Sequence, residues 1–242
     1  MSGAGVTGFF FAHQDDETLQ GAAAVANQVQ TGRSVHLVCL TDGSAAVVRT
    51  RELAEILGYT PTRQEFAEAR WAEFDEAGSR LGVPRPRRHT TGIPDKEVTV
   101  AAAREVMEAF LGEHPGADLV AHSFLDAHPD HRNIGKALDD LRAEEGVSAR
   151  FCFSRRYDGV VPTPRRWLER AEALDPAVVA ERYVTLDLDR RWWSVGALSS
   201  GGYFDSWLAD PYAIVHLGSD AFGSAEERAA AFDWVEKQGG YR

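Results

Sequence analysis

Two short segments, His13-Gln14-Asp15-Asp16-Glu17 and His128-Pro129-Asp130-His131, combine imidazole and carboxylate at spacings that can bind a divalent metal and activate water. Zinc takes nitrogen, sulfur and carboxylate ligands, and a catalytic site commonly uses three protein ligands with a fourth position open. His13, Asp16 and His131 would supply that set. Water bound there has its pKa lowered toward ~7, so hydroxide becomes available near neutral pH. Asp15 stands beside a ligand without being needed as one, and could take the water proton as general base. His128 is left to act as imidazolium, stabilising an oxyanion or protonating a leaving amine. Asp130 could hydrogen-bond His128, fixing its orientation and favouring its charged form. Iron(II) or another divalent ion could occupy the same ligands.

Each segment also has a plainer reading. An Asp-Asp-Glu run behind a strand can be the acidic start of a helix, and His-Pro-Asp-His can be a turn with a cap. Their joint occurrence behind two separate apolar runs is what favours a metal site. Glu17 reads as a helix-start carboxylate or a partner to a ligand. His36, His89, His114 and His216 read as structural, and His122 lies near the site without a clear task.

The elements that must position these residues alternate through the first two-thirds of the chain. Val6 to Ala12 reads as a buried strand and Thr18 to Thr31 as a helix with small residues on one side. Val35 to Leu40 is a second strand, stopped by Thr41-Asp42-Gly43. Ser44 to Thr62 reads as a loop in which Arg51 to Leu57 could form a short helix. Thr62 to Leu81 is the clearest helix, with capping-box spacing between Thr62 and Glu65 and Gly82 to end it. A short segment near Arg88 to Thr90, a helix from Val98 to His114, a strand from Ala117 to His122 and a helix from Arg132 to Glu145 follow. Such alternation implies an α/β fold with a mostly parallel sheet and right-handed crossovers. If the strands before the two clusters are neighbours where strand order reverses, both clusters reach one crevice.

The last third is less regular. Phe151 to Phe153 and Arg182 to Leu188 look like strands, and Arg190 to Ser200 and Ala225 to Lys237 look helical. Aromatic residues concentrate here, and core packing accounts for them more readily than stacking on a sugar. The reading is one domain over 1–242: an α/β core over 1–150, and a C-terminal extension over 151–242 that completes the fold and could complete a substrate pocket.

The 242 residues are 44% hydrophobic and 26% charged, which is ordinary for a globular protein with a sizeable core. A net charge of −11 argues against a general affinity for nucleic acid or anionic membrane. Cys39 and Cys152 sit in apolar stretches and read as buried thiols. No secretory pattern opens the chain and no run approaches the ~20 apolar residues of a membrane span, so a cytoplasmic protein is expected. Oligomeric state stays open.

The pairing of His-x-Asp-Asp-Glu near the N-terminus with His-Pro-Asp-His about halfway along resembles the LmbE/PIG-L family of zinc-dependent N-deacetylases, over roughly residues 6 to 145. The resemblance implies a Rossmann-like sheet with helices on both faces. It implies zinc on His13, Asp16 and His131, with Asp15 as general base, His128 as transition-state stabiliser and Asp130 as the residue orienting it. Thr41-Asp42-Gly43 and the Arg70-x-x-Glu73 helix ending in Leu81-Gly82 also resemble the family, in which Arg70 and Asp95 would contact substrate hydroxyls. Two positions depart. Gln14 stands where proline is usual, implying a change in loop stiffness, and Asp126 stands where some sugar deacetylases carry tyrosine. The function so implied is removal of an N-acetyl group from an N-acetylglucosamine-type amino sugar in a glycoconjugate or natural-product intermediate. An amidase acting on a larger non-sugar or thiol conjugate is the alternative enzyme. A metal-bound, non-catalytic binding protein is the alternative from another class, and it would not require Asp15 or His128.

Overall fold

In the computed structural model, which describes residues 5–238, β1 (Val6–Phe11) lies in the middle of a seven-stranded sheet. The chain continues through α1 (Asp16–Leu19), α2 (Ala22–Gln30), β2 (Ser34–Thr41), α3 (Glu52–Leu57) and α4 (Arg63–Arg80). Then come β3 (Arg88–Ile93), α5 (Val100–Glu113), β4 (Asp118–His122), α6 (Pro129–Glu145) and β5 (Ala149–Phe153). The last third adds β6 (Arg166–Glu169), α7 (Pro176–Val184), β7 (Leu186–Asp187), β8 (Trp192–Trp193), α8 (Val195–Ser200), α9 (Tyr203–Ala209), β9 (Ala213–His216) and α10 (Ala225–Gln238).

Strand order is β3-β2-β1-β4-β5-β9-β6, with the first five parallel and β9 antiparallel to both of its neighbours. Side chains alternate across a strand, so Phe9 and Phe11 face one layer and Phe10 the other. The Phe9 side packs on α2, α4, α7 and α9 through Ala23, Phe74, Tyr183 and Trp207; the Phe10 side packs on α5, α6 and α10 through Met107, Ile134 and Val235. A sheet covered on both faces buries its central strands, and β1, β2 and β4 are buried at every position after their first residue. From β1 the chain moves outward to β2 and β3, then returns to place β4 on the other side of β1. That reversal opens a crevice at the carboxyl ends of β1 and β4, where both clusters sit.

Several elements differ from the sequence reading. The helix expected from Thr18 to Thr31 is broken into α1 and α2 around Gln20 and Gly21, because Gly21 lies hard against Phe11: a Cβ there would sit 2.3 Å from its ring. The strand expected from Arg182 to Leu188 is mostly helix. Asp175 caps α7 and Pro176 occupies its first turn, leaving two residues for β7. The helix expected from Arg190 to Ser200 keeps only Val195–Ser200, since Trp192 and Trp193 pair with β7 and Ser194 turns at φ +54°. Strands β6 and β9 and helix α9 were not anticipated. The capping box of α4 forms as expected, and both cysteines are buried and free. Among the described residues no helix is long and apolar enough to cross a membrane.

Helix α6 begins at Pro129 rather than Arg132, with His128 as its cap, so the second cluster occupies the helix's first turn. One glycine permits this placement. A Cβ on Gly135 would lie 2.3 Å from the Phe124 nitrogen and 2.5 Å from the Ser123 carbonyl carbon, both backbone atoms. Gly135→Ala is therefore expected to cost about 3 kcal/mol or more, read as a lowered midpoint in denaturant unfolding; an unchanged midpoint would show that the loop yields freely.

Candidate active site

The loop after β1 and the first turn of α6 bring three donor atoms together. His13 Nδ1 lies 3.3 Å from Asp16 Oδ2 and 3.0 Å from His131 Nε2, and His131 Nε2 lies 3.3 Å from the same Asp16 oxygen. Donors held at zinc's usual 2.0–2.1 Å in a tetrahedron are about 3.3 Å apart, so the triangle fits one small divalent ion. The His13 N–H and the Gln20 amide donate to the two Asp16 oxygens at 2.9 and 3.2 Å, which fixes that carboxylate. Burial alone would lower the His131 imidazole, but Asp16 and Asp126 outweigh it and lift it to about 10. His13 is likewise raised, its burial outweighed by Asp130, Asp16 and Asp95. The carboxylates thus demand positive charge here, which a metal ion can supply by displacing protons.

The nitrogens facing away from the triangle are held by carboxylates. His13 Nε2 meets Asp95 Oδ1 at 3.2 Å and Asp130 Oδ2 at 3.3 Å, and His131 Nδ1 meets Asp126 Oδ2 at 3.2 Å. This corrects one expectation. The Asp130 carboxylate does not reach the His128 ring: it is held by His13 and by the N–H groups of Lys96 and Val98, at 2.9 and 3.3 Å. Asp95, which lines the cavity where substrate contact is expected, also serves His13 and the Ala45 N–H. Such outer carboxylates fix ring orientation and raise ligand basicity. Asp95→Asn is expected to weaken metal binding roughly 10- to 100-fold, measured by competition with a chromogenic chelator; wild-type affinity would refute that role. Asp126, the departure from the tyrosine pattern, also accepts the His128 N–H at 2.8 Å.

His122 lies flat against His131, ring centroids 3.8 Å apart, and its Nε2 is within 3.3 Å of Asp16. That nitrogen accepts the Ala12 N–H at 2.9 Å, so its lone pair is committed and His122 is a packing partner of the site. His128 accepts the Asp130 N–H at Nδ1, 3.3 Å, which leaves Nε2 to carry the ring proton. Burial, together with His131 and His13, pushes His128 down to about 3. These surroundings favour a neutral N–H donor over the expected imidazolium, and an added dication would press in the same direction.

Asp15 has φ +130°, a backbone conformation that non-glycine residues avoid. Three buried groups hold it. Glu17 accepts the Asp15 N–H at 3.1 Å, while Arg70 Nη2 donates to the Gln14 carbonyl and, at 3.2 Å, to Asp15 Oδ2. The Gln14 amide donates to the Thr41 carbonyl at 2.9 Å, tying the loop to the end of β2 where a proline could not. Arg70 thus holds this loop through Nη2 while lining the cavity where substrate contact is expected. Burial raises Asp15 to about 6 even against Arg70.

Residues 9–141 match the family model for PIG-L, described as GlcNAc-PI de-N-acetylase. The chain belongs to the PIG-L family. A curated relative, the 1D-myo-inositol 2-acetamido-2-deoxy-alpha-D-glucopyranoside deacetylase of Mycolicibacterium vanbaalenii, is 35% identical over 79 residues, 33% of this chain and 27% of that protein. The similarity therefore spans only about a quarter of that relative's length. Among solved structures, the zinc inhibited form of teicoplanin deacetylase Orf2 superposes with TM-score 0.61 at 16% identity, over 87% of this chain and 96% of that one. The N,N'-diacetylchitobiose deacetylase of Pyrococcus horikoshii gives 0.57 at 16%, over 84% and 74%. The 4-carboxy-2-hydroxymuconate hydratase GalB of Pseudomonas putida gives 0.55 at 16%, over 85% and 83%. At these identities the likeness is one of fold.

The PIG-L match ends before the second wall of the site begins. A cavity of about 280 Å3 opens over the donor triangle, and its far side is built by Ser154, Arg156, Tyr157, Ser199, Ser200 and Tyr203. Helix α8, which carries Ser199 and Ser200, and the α7 helix it packs on are each held by a buried carboxylate near the His13–Glu17 loop. Glu17 accepts from Tyr183 on α7 at 2.8 Å, and Glu73 accepts the Val195 and Gly196 N–H groups of α8 at 2.7 and 3.0 Å. Glu73 follows Arg70 by three residues on the same face of α4, a spacing readable in the sequence. Ser199 had no such signal.

Proposed function

We propose that the protein is a zinc-dependent N-deacetylase acting on an N-acetylglucosamine-type amino sugar in a glycoconjugate or natural-product intermediate. The observation carrying this reading is the donor triangle of His13, Asp16 and His131 beside a carboxylate, Asp15, that the triangle does not need. Held by those three residues, zinc would polarise the amide carbonyl and lower the pKa of water; the ligand chemistry also admits iron(II). Asp15 takes the proton of the attacking water. His128 aims a neutral N–H at the oxygen that gains charge, as an oxyanion donor should. Having taken the water proton, Asp15 then holds the proton that the departing amine needs. The family description and the named activities of the relatives support an amino-sugar amide as substrate.

The test is acetate release from a panel of N-acetylglucosaminyl conjugates with inositol, nucleotide and antibiotic-type aglycones, alongside simple amides, using zinc-loaded protein. Release from an amino sugar is expected. Release from other amides alone would replace the sugar assignment with the amidase reading. The pH profile adds a second check. A base acts only when deprotonated, so kcat/KM should rise with pH through an apparent pKa of about 6 or lower, a bound dication pulling Asp15 down. A rate that falls between about pH 5 and 7 would exclude Asp15 as base.

A further inference from the structure

We infer that Ser199, presented by α8 from outside the family-matched segment, is a positioning residue for the Asp15 base. The inference rests on the role proposed for Asp15. Two donors converge on one oxygen of that carboxylate: Arg70 Nη2 at 3.2 Å from the α4 side and Ser199 Oγ at 3.4 Å from the opposite wall. Asp15 Oδ1 makes no hydrogen bond among the described residues. The carboxylate is thus clamped by Oδ2, and Oδ1 is the oxygen left to meet the water. A base fixed at one oxygen loses less freedom when the other takes a proton, and small misplacements of such a group are costly in rate.

The placement of Ser199 is itself controlled. α8 is a short helix with no side-chain cap of its own. Its first two N–H groups are instead held by Glu73, and the residue before it, Ser194, donates to the Tyr183 carbonyl at 3.0 Å. Glu73 stands one turn beyond Arg70 on α4, so a single helix sets both donors: Arg70 directly, Ser199 through α8. The single Ser199 hydroxyl proton is shared between the Asp15 carboxylate and the Gly196 carbonyl, which lies at 3.1 Å.

The experiment is Ser199→Ala in the zinc-loaded protein, assayed on whichever amino-sugar conjugate releases acetate fastest. Because Ser199 is on the cavity surface, the variant should fold and bind zinc as the parent does. The expected result is a kcat about 10-fold lower with KM and zinc content unchanged, and recovery in Ser199→Thr, which restores the hydroxyl. In an Asp15→Asn background, Ser199→Ala should bring no further loss, since the two act as one unit. Glu73→Gln, which disturbs the anchor of α8, should reproduce the kcat defect. An unchanged kcat, a defect confined to KM, failure of threonine to rescue, or a full additional loss in the Asp15→Asn background would each overturn the inference. Those outcomes differ from failure of the Asp15 assignment, which would appear as full turnover in Asp15→Asn alone.

Discussion

Asp15→Asn is expected to retain its metal and lose about a thousandfold in kcat, within the range that general base catalysis supplies. The substitution is nearly isosteric, and asparagine tolerates positive φ better than most residues, so the strained turn survives. The Glu17 contact is made by the backbone N–H and is untouched. Arg70 keeps an acceptor in the amide oxygen and retains the Gln14 carbonyl, so no buried cation is stranded. None of the three donor atoms of the triangle is altered. What disappears is the proton acceptor. Metal per chain by atomic emission, measured beside turnover, separates the outcomes: metal retained with turnover lost supports the assignment, whereas retained turnover removes it.

His131→Ala should fail differently, losing metal as well as activity, with affinity reduced by more than about 100-fold. His131 supplies one corner of the triangle and is the partner of two buried carboxylates, Asp16 and Asp126. The metal-free protein gives a further readout. Folding raises the His131 pKa from 6.5 to about 10, so its contribution to stability is fully present below about pH 6.5 and is lost as pH climbs through about 10. Metal-free wild type should therefore lose stability across that window, and metal-free His131→Ala should show less of that dependence. Equal pH dependence in the two proteins would show that Asp16 and Asp126 do not draw on His131.

The parts of this site carried by chain direction were readable from the sequence. Apolar runs before His13 and His128 marked two strands, and alternation with helices made them parallel, so their ends had to share an edge. Side-chain direction was not readable. That His13 turns Nδ1 toward His131 and Nε2 toward Asp95 and Asp130 depends on a turn at Asp95 folding across from β3, a tertiary event without local pattern. The α7 segment misled for a physical reason. Val184, Leu186 and Leu188 alternate like a half-buried strand, yet they are 38%, 48% and 48% exposed, so their spacing reports no buried face. Strand β9 escaped notice because its partners, β5 and β6, precede it by long stretches and it runs against both.

That last arrangement has a consequence for how the protein comes off the ribosome. Among the described residues β6 pairs only with β9, so it joins the sheet once the chain has emerged past His216. The three residues of the donor triangle are all made by His131, and so are β1, β2 and β4. A growing chain can thus pair β1, β2 and β4 while β6 still waits for its neighbour in the sheet.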